Sequence, residues 1–105
     1  MAEEYLYVFA FSDDVVKVGR TASLNTRMRA HRFAASARNA RLTAGWFSFG
    51  LPAERVRVDE QALIRFCAER WPRAWGREYF AGADLRAVVD FACDLGEQAL
   101  AQHAA

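Results

Sequence analysis

Residues 5–31, YLYVFAFSDDVVKVGRTASLNTRMRAH, decide the fold of this chain. Residues 5–11 form a short run of aromatic and β-branched side chains, which is typical of a buried strand. Residues 15–18, VVKV, repeat that character after a Ser-Asp-Asp turn, so the two runs predict an antiparallel hairpin. Ser23 suits the N-cap of a helix over residues 24–37, and this hairpin-helix unit is the predicted centre of an α+β domain.

Four polar side chains of this unit fall at positions from which they can meet. Successive side chains of a strand point to opposite faces, so Tyr7 and Lys17 share a face if the turn keeps the expected register. In the helix, His31 belongs to an inward-facing stripe, and Arg27 lies at its edge, one turn away. The pattern therefore predicts that a phenol, an amine, a guanidinium and an imidazole lie close together.

The rest of the chain continues as alternating strands and helices. The predicted elements, in chain order, are a strand at residues 41–49, a helix at 53–71, a short extended piece near 78–80 and a last helix at 83–102. This order, ββαβαβα or ββαβαα, predicts a small three-stranded antiparallel sheet flanked by about three helices. We expect residues 1–105 to form a single domain of this kind.

Glu60 is the residue of the second helix that needs a specific explanation. It falls in the middle of an apolar stripe that includes Val56, Leu63 and Cys67. A carboxylate on such a stripe is costly to bury unless it is paired, hydrogen-bonded or bound to a metal ion. The pattern therefore predicts a partner for Glu60.

Composition narrows the classes of protein to consider. Hydrophobic residues make up 53% of the chain, which is enough for one core without disulfide or metal staples. No apolar run reaches the roughly 18 residues of a membrane span, and no secretory signal pattern is present. Cys67 and Cys93 lie in helical apolar patterns, which favours reduced thiols over a disulfide framework. We therefore expect a cytoplasmic protein without membrane contact.

The net charge of +1 hides an uneven distribution of charge. Residues 15–53 contain seven basic residues and neither Asp nor Glu, and such a segment attracts a polyanion. Besides Lys17 and Arg27, the predicted nucleic-acid-binding residues are Arg20, Arg29, Arg32, Arg38 and Arg41. A merely solvated basic surface is the alternative interpretation.

These residues, taken in order, resemble the GIY-YIG nuclease superfamily over residues 5–80. Tyr5-Leu6-Tyr7 stands where the family has Gly-Ile-Tyr, Lys17-Val18-Gly19 where it has Tyr-Ile-Gly, Arg27 and His31 where it has Arg-x-x-x-His, and Glu60 at its metal-binding glutamate. Within the superfamily the chain looks most like the phage-type DNA-binding branch named after a T5 reading frame, whose ending, Gly-x-Glu followed by Trp or Tyr and then Phe, resembles residues 76–80. Tyr5 and Lys17 depart from the family pattern.

The resemblance implies a GIY-YIG-like fold and a metal-dependent endonuclease that hydrolyses DNA phosphodiester bonds. The implied catalytic residues are Tyr7, Lys17, Arg27, His31 and Glu60. In this chemistry Glu60 holds Mg²⁺ or Mn²⁺, and Arg27 suits the scissile phosphate. Tyr7 or Lys17 orients or deprotonates the attacking water, and His31 relays a proton or binds phosphate.

Other interpretations of the same residues stay open at this stage. The chain as a whole fits a DNA-binding module with weak or lost cleavage, or a regulatory interaction domain of phage or bacterial origin. RNA is an alternative to DNA, and specificity would require a homodimer or a guiding protein partner. Arg27 and Glu60 fit a structural ion pair, His31 fits a hydrogen-bonded core histidine, and Trp75 fits a loop residue that stacks on a base.

Overall fold

The computed structural model describes the backbone of residues 3–104 and the side chains of residues 3–98. The elements, in chain order, are β1 (Glu3–Phe11), β2 (Val15–Thr21), α1 (Leu24–Ala37), β3 (Leu42–Phe47), β4 (Leu51–Pro52), α2 (Ala53–Ala68), β5 (Arg73–Trp75), β6 (Tyr79–Ala81) and α3 (Leu85–Ala104). This composition confirms the predicted α+β class and the three helices. The sequence also predicts burial of Ala99 in the last helix, a side chain outside the described residues.

The sheet is larger than the sequence predicts. Its described strands number six, with the order β3-β1-β2-β6-β5 and with β4 paired to the start of β1, and every pairing is antiparallel. The prediction of three strands is not confirmed, because the extended piece predicted near residues 78–80 joins the sheet as β6, and β4 and β5, of two and three residues, extend it further. Strands this short show no alternation that a sequence pattern can reveal.

The β1–β2 hairpin has the register that the site requires. Tyr7 lies opposite Gly19, and Phe9 lies opposite Lys17. Because directly opposed residues of an antiparallel pair share a face, Tyr7 and Lys17 point to the same side of the sheet. This register confirms the prediction that they share a face.

Each face of the sheet carries its own hydrophobic core. On one face, Leu6, Val8, Val16 and Val18 pack against α2 and α3, which contribute residues such as Val56, Leu63, Val88 and Ala92. On the opposite face, Tyr7, Phe9 and Phe11 pack against Ala35 and Met28 of α1. The sheet is therefore the middle layer of three, and residues 6–11 of β1 alternate between the two cores.

Two further findings concern the helices and the cysteines. Among the described helices, none combines the length and apolar character needed to cross a membrane. Cys67 and Cys93 are both free thiols, as predicted.

Candidate functional site

A polar cleft of about 390 Å³ gathers four of the five predicted catalytic residues. Tyr7, Lys17, Arg27 and Glu60 all line it, together with Arg20 from the predicted nucleic-acid-binding set. The hairpin supplies the phenol and the amine, the first turns of α1 supply Arg27, and α2 supplies the carboxylate. Residues far apart in the chain therefore meet in one hollow.

Gly19 allows the Tyr7 ring to occupy its place in this cleft. A Cβ atom added to Gly19 would lie 2.5 Å from the Tyr7 hydroxyl oxygen and 2.6 Å from Cζ. Such distances are far inside van der Waals contact, so only glycine fits beneath the ring. The Tyr7 side chain is 1% exposed, and its position is set by this close approach.

His31 lies behind Tyr7 and does not line the cleft. Its Nε2 atom is 2.9 Å from the Tyr7 hydroxyl, and its Nδ1 atom is 3.2 Å from the Tyr79 hydroxyl. Both ring nitrogens therefore have hydrogen-bond partners, so the imidazole has no nitrogen left for a phosphate. The position agrees with the interpretation of His31 as a hydrogen-bonded core histidine, one that also orients Tyr7.

Burial determines the protonation states of His31 and Tyr7. It lowers the pKa of His31 to about 4, helped by the positive charges of Lys17 and Arg27. It also raises the pKa of the Tyr7 phenol above its ordinary value. At neutral pH the imidazole and the phenol are therefore both uncharged, and Tyr7 is a poor base.

Acid should destabilise the protein through His31. The unfolded imidazole, with an ordinary pKa of 6.5, takes up its proton before the folded one does, so the free energy of unfolding falls as pH drops from 6.5 toward 4. Between these two pH values, protonation of His31 should lower the free energy of unfolding by about 3 kcal/mol. Urea unfolding across this range should show it, with His31→Gln as the control.

The control is needed because two carboxyls act in the opposite direction. Burial raises the pKa values of Asp59 and Glu60, so each adds stability as pH falls. Both carboxyls remain in His31→Gln, and the difference between the two proteins isolates the imidazole. If the two proteins differed in free energy of unfolding by the same amount at pH 6.5 and at pH 4, the assignment of the acid effect to His31 would be wrong.

The ion pairs of the cleft leave one cation free. The Arg20 guanidinium donates from Nε to Glu60 Oε1 at 3.3 Å and from Nη1 to Glu4 Oε1 at 2.7 Å, and Lys17 pairs with Glu78. Among the side chains of residues 3–98, Arg27 is in no ion pair. The structural pair between Arg27 and Glu60 is therefore not formed, and Arg27 is available to an anionic ligand.

Glu78 and Glu4 are cleft residues that the sequence pattern does not assign to the site. Glu78 belongs to the quoted Gly-x-Glu-Tyr-Phe ending, but nothing in that fragment indicates which strand it joins. In the structure, β6 pairs with β2, with Tyr79 opposite Lys17, and this pairing brings Glu78 to the Lys17 amine. Only a prediction of the β2–β6 pairing would have found it.

A divalent ion would depend mainly on Glu60. Within the described part of the chain, no group of three or more His, Cys, Asp or Glu side chains is arranged to hold a metal ion. Mg²⁺ nevertheless binds through one or two carboxylates and keeps several waters, and Arg20 engages only Oε1 of Glu60. Glu60 therefore fits a divalent ion that keeps most of its water ligands and takes further oxygen ligands from a bound substrate. Without the substrate, the positive charge of Arg20 opposes binding of the ion.

The other predicted nucleic-acid-binding arginines divide into two groups. Arg29, Arg32 and Arg41 are exposed to solvent. Arg38 is half-buried, pairs with Asp13 at 2.7 Å, and lies 4.7 Å from the Phe11 ring and 4.8 Å from the Trp75 ring. Arg38 therefore has a structural role in joining α1 to the sheet.

Trp75 is a strand residue rather than the predicted loop residue. It lies in β5 and stacks on Tyr79 with 4.8 Å between ring centroids, and 43% of its surface is exposed. One ring face is thus taken up by Tyr79, and the Arg38 guanidinium lies over the same indole. The indole is held in place by protein contacts, so the structure offers no support for base stacking at this residue.

The cleft as a whole is suited to an anion that approaches from solvent. A free guanidinium forms paired hydrogen bonds with phosphate or carboxylate oxygens, and the buried phenol beside it offers one hydroxyl. Burial raises the pKa of the Glu60 carboxyl, and the nearby negative charge of Glu78 raises it further.

No family model, curated protein or solved structure matches this chain.

Proposed function

We propose that this protein is a metal-dependent endonuclease of the GIY-YIG type, which hydrolyses phosphodiester bonds of DNA. The observation that carries the proposal is that the unpaired Arg27 guanidinium lines one cleft with Tyr7, Lys17 and Glu60. In this proposal β3, β1 and β2 are the three-stranded GIY-YIG-like unit, and the short strands extend it. DNA is the partner, and Mg²⁺ or Mn²⁺ is the cofactor.

Arg27 is the residue that recognises the scissile phosphate. It is solvent-exposed and permanently charged, and it has no carboxylate partner among the side chains of residues 3–98, so binding a phosphate breaks no ion pair described there. Negative charge builds up on the phosphate oxygens in the transition state, and a fixed cation stabilises that charge more than the ground state. The Tyr7 hydroxyl is held by His31 and by the close approach of Gly19, and with the imidazole proton on Nε2 it accepts from His31 and donates a hydrogen bond beside Arg27.

Glu78 is a better proton acceptor than Tyr7 for the attacking water. Burial raises the pKa of the phenol, which keeps it protonated, whereas the side chain of Glu78 is 34% exposed and lines the cleft. Lys17 engages Oε1 of Glu78 and fixes its orientation. Lys17 therefore positions the base, and Tyr7 positions the water or the phosphate.

Glu60 is the carboxylate that would hold the divalent ion. When bound, Mg²⁺ or Mn²⁺ would neutralise charge on the phosphate oxygens and the departing oxygen. Binding requires Arg20 to share Glu60 or to turn fully toward Glu4, with which it already forms its shorter bond. The proposal therefore includes Arg20 as a side chain whose contacts change on loading.

Supercoiled plasmid is the substrate that tests this function. We expect nicking in the presence of Mg²⁺ or Mn²⁺ and none in EDTA, measured by conversion to the open-circular form on a gel. Glu60→Gln should abolish nicking, and Glu78→Gln should slow it by at least about 100-fold while DNA binding persists. Glu54→Gln, an exposed position on α2, is the matched control.

Two outcomes would contradict the proposal. Nicking that survives in both EDTA and Glu60→Gln would come from another nuclease in the preparation. A protein that binds plasmid but never cuts it would instead support the second candidate function, a DNA-binding module on the same fold. The observation that favours this second candidate is that Arg20 and Lys17 already occupy Glu60 and Glu78.

A further inference from the structure

The outer face of α1 carries an exposed aromatic side chain for which the fold has no use. Phe33 is 80% exposed, and it contributes to neither core. At 100° per residue it points almost directly away from His31 and Ala35, the two buried residues of this helix. A phenylalanine in this position gains little from folding, so its ring is free to make an external contact.

The charges around Phe33 indicate what makes that contact. Arg29 lies one turn before it, Arg32 directly precedes it, and neither forms an ion pair among the described side chains. Helix α1 contains no acidic residue. A second copy packed through this face would bring arginines against arginines, whereas a polyanion complements them.

We infer that Phe33 stacks on an unpaired base of a DNA strand whose phosphates contact Arg29 and Arg32. Every base has an aromatic face, so this contact is tolerant of sequence, and the bases of an intact duplex are already stacked on each other. The preferred substrate would then contain a single-stranded or locally unpaired stretch. This inference rests on the proposed function for its choice of DNA, and it extends that function to a class of substrate.

The position of Phe33 relative to the cleft agrees with a single strand that contacts both. Arg27 and Phe33 are six residues apart on one helix, so they are separated by about 9 Å along its axis and by about 120° around it, and a strand that contacts both passes around the side of the helix. That separation corresponds to only a few nucleotides of a strand. A strand whose scissile phosphate lies at Arg27 can therefore cross α1 and place a nearby base at Phe33.

Phe33→Ala is the variant that tests the inference, and Phe49→Ala is its matched control. Phe49 is 67% exposed, and it lies in a groove with Cys93 and Glu97 of α3, away from α1. Alanine favours a helix, and Phe33 is exposed, so the variant should keep its fold. Binding is measured in EDTA, where no cleavage occurs, by anisotropy of a labelled single strand and of the matching duplex.

We expect Phe33→Ala to bind the single strand about tenfold more weakly, with duplex binding and the salt dependence of affinity nearly unchanged. Phe49→Ala should bind as the unsubstituted protein does. A 2-aminopurine base in the strand should lose fluorescence on binding, and Phe33→Ala should restore it.

Equal affinity of Phe33→Ala and the unsubstituted protein for the single strand would overturn the inference. So would the absence of any strand binding, or a dimer seen by light scattering that Phe33→Ala dissociates. These binding outcomes are measured in EDTA and do not depend on cleavage. A failure of the proposed function alone would appear differently, as binding that still depends on Phe33 but no nicking in Mn²⁺.

Discussion

In the proposed nuclease, an Arg27→Ala variant should nick plasmid at least about 100-fold more slowly than the unsubstituted protein, with unchanged thermal unfolding. The large effect on rate is expected because Arg27 is the one cleft cation that no described carboxylate neutralises, so its whole charge is available to the transition state. The small effect on stability is expected because the side chain is exposed and forms no ion pair with any other described side chain. Nicking rate and melting temperature are the two measurements.

Arg29→Ala is the matched control for this variant. It removes the same charge from an exposed position of the same helix, but outside the cleft. Arg29→Ala should weaken DNA binding at low salt and leave the rate at saturating DNA nearly unchanged. Equal losses in the two variants would mean that Arg27 acts only through general attraction of DNA, and the assignment to the scissile phosphate would be wrong. Arg27→Lys should recover part of the rate, since a lysine keeps the charge but lacks the paired donors.

The hairpin and the helices were predictable because their patterns are long and local. Residues 6–11 of β1 alternate between two cores, and alternation together with the expected turn register placed Tyr7 and Lys17 on one face, as the register then confirmed. The stripe of α2 likewise identified Glu60 as a buried carboxylate in need of a partner, and it has one. These inferences need only the period of a strand or a helix.

The details of the cleft were not predictable because they depend on non-local pairings. The partner of Glu60 is Arg20, 40 residues earlier in the chain, and the partner of Lys17 is Glu78, 61 residues later. The first contact requires α2 to pack on the assembled sheet, and the second requires the pairing of β6 with β2, which no sequence pattern indicates. The position of His31 also depends on non-local contacts. The sequence allowed it to line the cleft, whereas in the structure its hydrogen bonds to Tyr7 and Tyr79 hold it behind the Tyr7 ring.

Gly19→Ala should damage both the fold and the activity through a single contact. The new methyl group would overlap the Tyr7 hydroxyl and Cζ, and the ring is held from behind by His31 and is 1% exposed. We expect a loss of about 1–3 kcal/mol in the free energy of unfolding, the usual cost of overpacking. Because the ring must tilt away from its position in the cleft, we also expect nicking by the proposed nuclease to be about 100-fold slower, the effect of a displacement of about 1 Å in a group that positions the substrate. Urea unfolding and the plasmid assay measure the two effects.

A double-mutant cycle with Tyr7→Leu shows whether the damage arises from this contact. Leucine ends before the atoms that the new methyl group meets, so Gly19→Ala should cost much less stability in the Tyr7→Leu background than in the unsubstituted one. Gly96→Ala is the second control, because a Cβ there meets nothing within 4 Å and the helix should gain up to about 1 kcal/mol. Equal costs of Gly19→Ala in both backgrounds would mean that β2 itself, rather than the Tyr7 ring, requires the glycine. In that case Tyr7 would owe its position to other contacts, and the role of Gly19 in shaping the cleft would be wrong.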